Sequence, residues 1–138
     1  MADTVEFELV SPERLLVSAS VEMVVVPGAE GDFGVLPGHA PLISTVRPGV
    51  ISTYEDGRVA SRIFVAGGFA EVTAARCTVL ADEAVELDGA DRAAVEARLR
   101  AAREELADAD NDAERAAAEA EIAIAEAFLA AIDSAGRA

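Results

Sequence analysis

His39 is the residue best suited to acid–base chemistry, and it stands in EGDFGVLPGHAPL (30–42) with three glycines and two prolines. A general base needs a partner within hydrogen-bond reach, and a nucleophile needs both a base and a group to orient that base. No second histidine exists, and the only cysteine, Cys77, falls in an expected strand. His39 therefore reads as a residue that fixes a turn or fills an interface, and no catalytic residue is assigned. Gly31, Gly34 and Gly38 invite comparison with a phosphate-cradling loop. That loop needs a GK[ST] step and a helix N-terminus behind it. The sequence has no lysine, and no helix is expected directly after the glycines.

Metal chemistry has one candidate, DADNDAERAAAE (108–119). Asp108, Asp110 and Asp112 take the first, third and fifth places of a calcium loop, and Glu119 takes the twelfth. The sixth place needs glycine for its sharp turn and is Ala113; the eighth, normally apolar, is Arg115. Alanine-rich sequence from 113 onward prefers a helix, which draws Glu119 away from the cage. The segment reads as a solvated acidic turn, and no metal site is assigned. Glu96, Glu104, Glu105 and Glu126 read as solvated helix faces.

The elements that carry these residues follow two grammars. Nine of the ten glycines and all five prolines lie at or before Gly89, whereas 90–135 has neither and is dominated by alanine. TVEFELV (4–10) alternates polar and apolar residues, the mark of a half-buried strand. Further strand candidates are VEMVVVP (21–27), FGVL (33–36), APLIST (40–45), GVISTYED (49–56), RVASRIFVAG (58–67), FAEVT (69–73) and RCTVLADEAVEL (76–87). Glu55-Asp56-Gly57 reads as a hairpin turn. Many short strands without interleaved helices predict a sandwich or barrel and exclude a βαβ nucleotide fold. Asp88 is the expected N-cap of a first helix, with Asp91 near its positive end. Val95, Leu99, Ala102 and Leu106 share one face; after the break at 108–112, Ala118, Ile122, Ala125, Leu129 and Ile132 share another. Two helices and a short polar loop predict an antiparallel hairpin with small contact residues. The expected division is 1–87 for the β part and 88–138 for the helical part.

A length of 138 residues is enough to bury a proper core. A formal net charge of −15 opposes nucleic acid and anionic membranes as partners. A lone cysteine excludes an internal disulfide and fits a reducing compartment. MADTVEFELV lacks the basic and apolar regions of a signal peptide, and charges interrupt each apolar stretch too early for a membrane span. These features favour an interaction module. A free-standing adaptor using the acidic hairpin and a small hydrolase using His39 are the rival classes.

Four ordered motifs then carry a family resemblance. GDFGVLPGHAPL (31–42), RPGVI (47–51), VAGGFAEV (65–72) and CTVLADEAVE (77–86) resemble the segments, in order, of the epsilon subunit of the F-type ATP synthase. The likeness spans 4–87 and extends more loosely over the helices. It implies an α+β protein: a ten-stranded antiparallel β-sandwich followed by a two-helix hairpin. It also implies a non-catalytic rotor subunit, without a cofactor, that couples proton flow to ATP synthesis and binds the gamma subunit and the c-ring. Membrane association would come only through the complex, at the cytoplasmic face of a bacterial inner membrane. By family position, Glu30, Gly31 and Asp32 would face the c-ring, and His39 and Pro41 the gamma subunit.

The resemblance also implies two regulatory possibilities that this sequence fits less closely. In many members the hairpin switches to an extended form, reaching the alpha and beta subunits, that inhibits ATP hydrolysis and commonly presents basic residues to an acidic segment of the beta subunits. Here 113–135 holds Glu114, Glu119, Glu121, Glu126 and Asp133 against Arg115 alone, a balance that opposes such contacts. Some members bind ATP through [IL]-D-x-x-R-A; LDGADRA (87–93) carries Asp88 and Arg92 but sets the arginine one residue late. One residue on a helix is a rotation of about 100°.

Overall fold

Alternation, turn chemistry and capping account for most elements of the structure, a computed structural model that describes residues 4–135. Met1–Asp3, the first residues of the MADTVEFELV stretch, lie outside the described residues. The protein divides into two units, Met1–Asp88 and Gly89–Ala138.

The first unit contains β1 (Val5–Val10), β2 (Leu15–Val21), β3 (Met23–Gly28), β4 (Gly31–Val35), β5 (Leu42–Val46), β6 (Gly49–Glu55), β7 (Arg58–Val65), β8 (Gly68–Val72), β9 (Arg76–Ala81) and β10 (Ala84–Glu86). They form one sheet in the order β10-β7-β6-β3-β5-β8-β9-β1-β2, with β4 paired to β3. The expected ten strands are present, but the layers belong to a single curled sheet and the pairing is not wholly antiparallel. Glu6–Val10 of β1 run parallel to Arg76–Leu80 of β9. β3 acts as the pivot: Met23–Val25 pair with β6, and Gly28 at its other end pairs with Val46 of β5.

Period-2 patterning sends one side chain in two to the interior. Val5, Phe7 and Leu9 of β1 are buried, and so are Cys77, Val79 and Ala81 of β9. With Val24, Val26, Ile51 and Val72 they belong to one continuous core. Thr53 is the one buried polar residue among those described, and its hydroxyl lies 2.6 Å from the Ser61 hydroxyl across the β6–β7 pair. The predicted hairpin turn is present. Glu55 pairs with Arg58, and Asp56 (φ 54°) and Gly57 (φ 72°) take the two left-handed positions that a type I′ turn needs.

Two strand expectations require correction. RCTVLADEAVEL is not one strand: β9 ends at Ala81, and β10 departs to pair with β7 through Ala84–Val65. Asp82 N–H donates to Gly67 O at 3.0 Å and Ala66 N–H to Glu83 O at 2.9 Å, so the crossing itself is satisfied. The switch falls at Asp82-Glu83, and the sequence does not reveal it because both halves remain extended. β2 is not among the expected strands, although Val17–Val21 alternate in both sequence and burial; it is an edge strand paired only to β1.

The second unit contains α1 (Arg92–Asp108) and α2 (Asp112–Ala135). Val95, Leu99 and Ala102 are buried on α1, and Ala118, Ala125 and Phe128 on α2. Phe128 stands one turn beyond Ala125 and centres the stripe between the predicted rows, leaving Ile122, Leu129 and Ile132 half-buried. Asp88 is not the N-cap. Gly89 has φ 84°, so the backbone is still turning there, and helical geometry begins only at Arg92. Asp91 is the cap, its side chain accepting from Ala94 N–H at 3.3 Å. Asn111 caps α2 by accepting from Glu114 N–H at 2.8 Å, while the Glu114 carboxylate accepts from Asp110 N–H at 2.9 Å. This near-reciprocal pair satisfies two donors at the helix start.

Candidate functional site

The glycines and prolines of 30–42 build two turns. At the first, β3 and β4 meet in a tight tip, with Gly28 opposite Gly31 and Pro27 opposite Asp32. Glu30, Gly31 and Asp32 are all exposed there. Asp32 is not a free carboxylate: Arg47 Nη2 donates to its Oδ1 at 2.5 Å, and Arg47 Nη1 donates to Gly28 O at 2.5 Å. Arg47 follows β5, so one side chain ties a separate loop to the tip.

At the second, His39 N–H donates to Leu36 O at 3.1 Å, closing a turn across Pro37 and Gly38. Gly38 has φ 85°. Proline followed by a positive-φ glycine is the chemistry of a type II turn. Gly38 N–H is spent on Ala74 O at 2.8 Å. His39 Nδ1 lies 2.7 Å from Ala40 O, so the tautomer with Nδ1–H donates locally. The ring is half-buried and Pro41 is exposed. Both hydrogen bonds of His39 are thus made within its own turn.

Beyond these residues lies an outward apolar surface. Ile43 is 71% exposed, Phe69 56% and Leu80 56%. They stand on adjacent strands, with Phe69 directly opposite Leu80 and beside Thr45, two residues from Ile43. Phe69 and Leu80 also edge a groove of about 260 Å³ bounded by Val10, Pro12 and Gly68. Residue-by-residue reading of candidate sites missed this surface and Arg47. A signal was present, because Phe69 and Leu80 are large apolar residues out of phase with buried Ala70, Val72, Val79 and Ala81.

Asp88 is exposed at the end of its unit. Arg92 donates to both carboxylate oxygens of Asp133 (3.0 and 3.1 Å) and pairs with Glu96 at 3.1 Å. Its charge is held more firmly than usual, first by the hydrogen bonds to Asp133 and then by the charge of that carboxylate. Asp112 pairs with Arg115 at 2.7 Å at the start of α2, and Glu119 lies farther along the same helix. Cys77 is buried in the core, and loss of solvation pushes its thiol pKa up to about 11. Such a thiol is a poor nucleophile.

The braced polar tip, the proline–glycine turn and the exposed apolar sheet face all belong to the first unit, and the helical hairpin forms the second. A family model described as the ATP synthase delta/epsilon chain beta-sandwich domain matches residues 4–87, and one for the C-terminal domain of the ATP synthase epsilon chain matches 91–138. The ATP synthase epsilon chain of Rhodospirillum rubrum is 67% identical over 131 residues, covering 95% of this protein and 98% of its own length. That of Paramagnetospirillum magneticum is 55% identical over 132 residues, covering 96% and 99%. A subunit of the Euglena gracilis mitochondrial ATP synthase superposes with a TM-score of 0.79 at 26% identity, over 94% of this protein and 82% of that one. A subunit of the Tetrahymena thermophila mitochondrial ATP synthase central stalk and c-ring shares the fold, with a TM-score of 0.63 at 17% identity over 93% and 96%. The protein belongs to the ATP synthase epsilon chain family and is a non-catalytic subunit of that complex. No helix among the described residues is long and apolar enough to cross a membrane.

Proposed function

We propose that this subunit couples proton flow to ATP synthesis by holding two rotor components at once. The gamma subunit covers the apolar sheet face, and the β3–β4 tip rests on the c-ring. The observation that carries this reading is the exposed row Phe69–Leu80 with Ile43 beside it. A contiguous apolar surface of this kind marks a protein interface. His39 and Pro41, just ahead of Ile43 in the sequence, belong to the same gamma-facing region. Glu30, Gly31 and Asp32 form the ring-facing region, where polar contacts suit a ring's exposed loops. Membrane attachment follows from the complex, at the cytoplasmic face of a bacterial inner membrane.

The helical hairpin is outside this coupling role. A nucleotide phosphate at Arg92 would have to displace the Asp133 carboxylate, and α2 offers few basic side chains to the alpha and beta subunits. The reading therefore includes neither ATP binding nor inhibition through basic contacts.

The test begins with a tagged full-length subunit recovered from detergent-solubilised membranes. Alpha, beta, gamma and c subunits should co-purify in fixed ratio, and their absence would overturn the reading. Substituting Phe69→Asp and Leu80→Asp together should weaken rebinding to the gamma-containing complex by at least ~100-fold, since fully burying each apolar side chain is worth ~1.5–3 kcal/mol. Undiminished rebinding would remove gamma from this face.

A further inference from the structure

Arg47 grips the β3–β4 tip in three places. Its backbone N–H donates to Pro27 O at 2.9 Å, Nη1 to Gly28 O at 2.5 Å, and Nη2 to Asp32 Oδ1 at 2.5 Å. Ala29 N–H donates to Thr45 O at 2.9 Å from the same neighbouring segment. The tip is therefore latched along both arms. Gly28 allows no slack beneath it, since a Cβ there would meet Gly31 O at 2.8 Å and the Phe33 ring at 2.9 Å.

The charges sort in the same way. Asp32 and Arg47 cancel within the subunit, leaving Glu30 as the tip's uncompensated carboxylate. Glu30 is exposed and makes no side-chain hydrogen bond or ion pair among the described residues. We infer that Arg47 is a positioning residue whose guanidinium, bridging Gly28 and Asp32, fixes the tip so that Glu30 alone presents charge to the partner. This rests on the reading that the tip docks on the ring, and it narrows that reading: Asp32 works as part of the brace. The partner then needs one cation or amide donor opposite Glu30, with no second basic group opposite Asp32. An exposed ion pair adds little to global stability. Its effect here is preorganisation, which reduces the ordering cost of binding.

Two measurements on the full-length subunit test the inference. The first is amide exchange at residues 29–32 in the isolated protein. Arg47→Met keeps the apolar stem and loses the donors, and it should speed exchange there by ~5–10-fold, the scale of local opening when such contacts are lost. The midpoint of global unfolding should move little, whereas a merely structural residue would lower it in step. The second is rebinding to ATP synthase stripped of this subunit. Arg47→Met and Asp32→Ala should each weaken it by ~10-fold, while Asp32→Asn, which keeps an acceptor oxygen for Arg47, should lose less than ~3-fold. Glu30→Ala, which removes the acceptor altogether, should lose at least as much as Arg47→Met.

Unchanged exchange in Arg47→Met overturns the brace. Equal losses in Asp32→Asn and Asp32→Ala make the Asp32 charge itself a docking group and also overturn the inference. If Glu30→Ala and Glu30→Arg both rebind normally, docking by the tip is wrong, and the exchange result still judges the brace separately.

Discussion

Gly68→Ala should be among the most damaging single-methyl additions available to the β unit. Gly68 opens β8 at φ 147°, and a Cβ there would sit 1.9 Å from the carbonyl oxygen of Leu80 on the adjacent β9. Ordinary contact begins at 3.4 Å, so backbone must move by roughly 1.5 Å, and a ladder cannot give that much without losing bonds. Two costs add. The backbone conformation itself costs an L-residue ~1–3 kcal/mol, and one or two lost ladder bonds cost ~0.5–1.5 kcal/mol each. The expected destabilisation is therefore about 3–5 kcal/mol. Gly31→Ala supplies the matched control, because Gly31 has φ 139° but nothing within 4 Å of its Cβ position. It should show the conformational cost alone. Urea unfolding followed by Tyr54 fluorescence separates the two, since Tyr54 is the only tyrosine, there is no tryptophan, and β6 belongs to the β unit. If Gly68→Ala loses no more stability than Gly31→Ala, the steric argument is wrong.

Two further outcomes follow from buried and paired groups. The Cys77 thiol is held neutral up to a pKa of about 11, against 9.0 for the unburied group. As pH rises through 9 the unfolded thiol ionises first, so stability should fall by about 2–3 kcal/mol towards pH 11 and level off above it. Urea titrations followed by circular dichroism should show this slope in the parent protein and its loss in Cys77→Ala; equal slopes would exclude the thiol as its source. On the hairpin, Arg98 pairs with Glu121 across α1 and α2, with side chains 28% and 35% exposed. A double-mutant cycle to alanine, read by helix melting, should give a coupling of ~0.5–1 kcal/mol. A value near zero would mean that the pair does not help to set the helix–helix register.

Legibility tracked the range of the physics involved. Elements governed by neighbouring residues were open to reading: the alternation of β1, the Asp56-Gly57 turn, the break between the helices. The placement of Asp88 and Asp91 was not, because either aspartate can cap and only the positive φ of Gly89 decides between them. The split of 76–87 depends on which strands β9 and β10 have as neighbours, information held some distance away in β7 and β8. At the site, the sequence holds no second histidine to partner His39, and in the structure its hydrogen bonds run to Leu36 and Ala40 within its own turn. Arg47 was not readable as the latch of Asp32, because their meeting depends on β3 and β5 lying together. The outward Phe69 and Leu80 occupy an intermediate case. Their phase was visible along each strand, but their adjacency needed the register of β8 against β9.

The parallel seam between β1 and β9 sets the order in which this polypeptide can mature. Glu6 waits for Arg76, far later in the sequence, so the N-terminal strand has only its hairpin mate while most of the unit is being synthesised. Long-separated pairings form slowly. The helical pair, built from contacts between segments adjacent in sequence, can form soon after it leaves the ribosome. A ribosome-bound nascent polypeptide ending before β9 would hold the hydrophobic side of β1 partly uncovered, and release of a sound subunit depends on the seam closing.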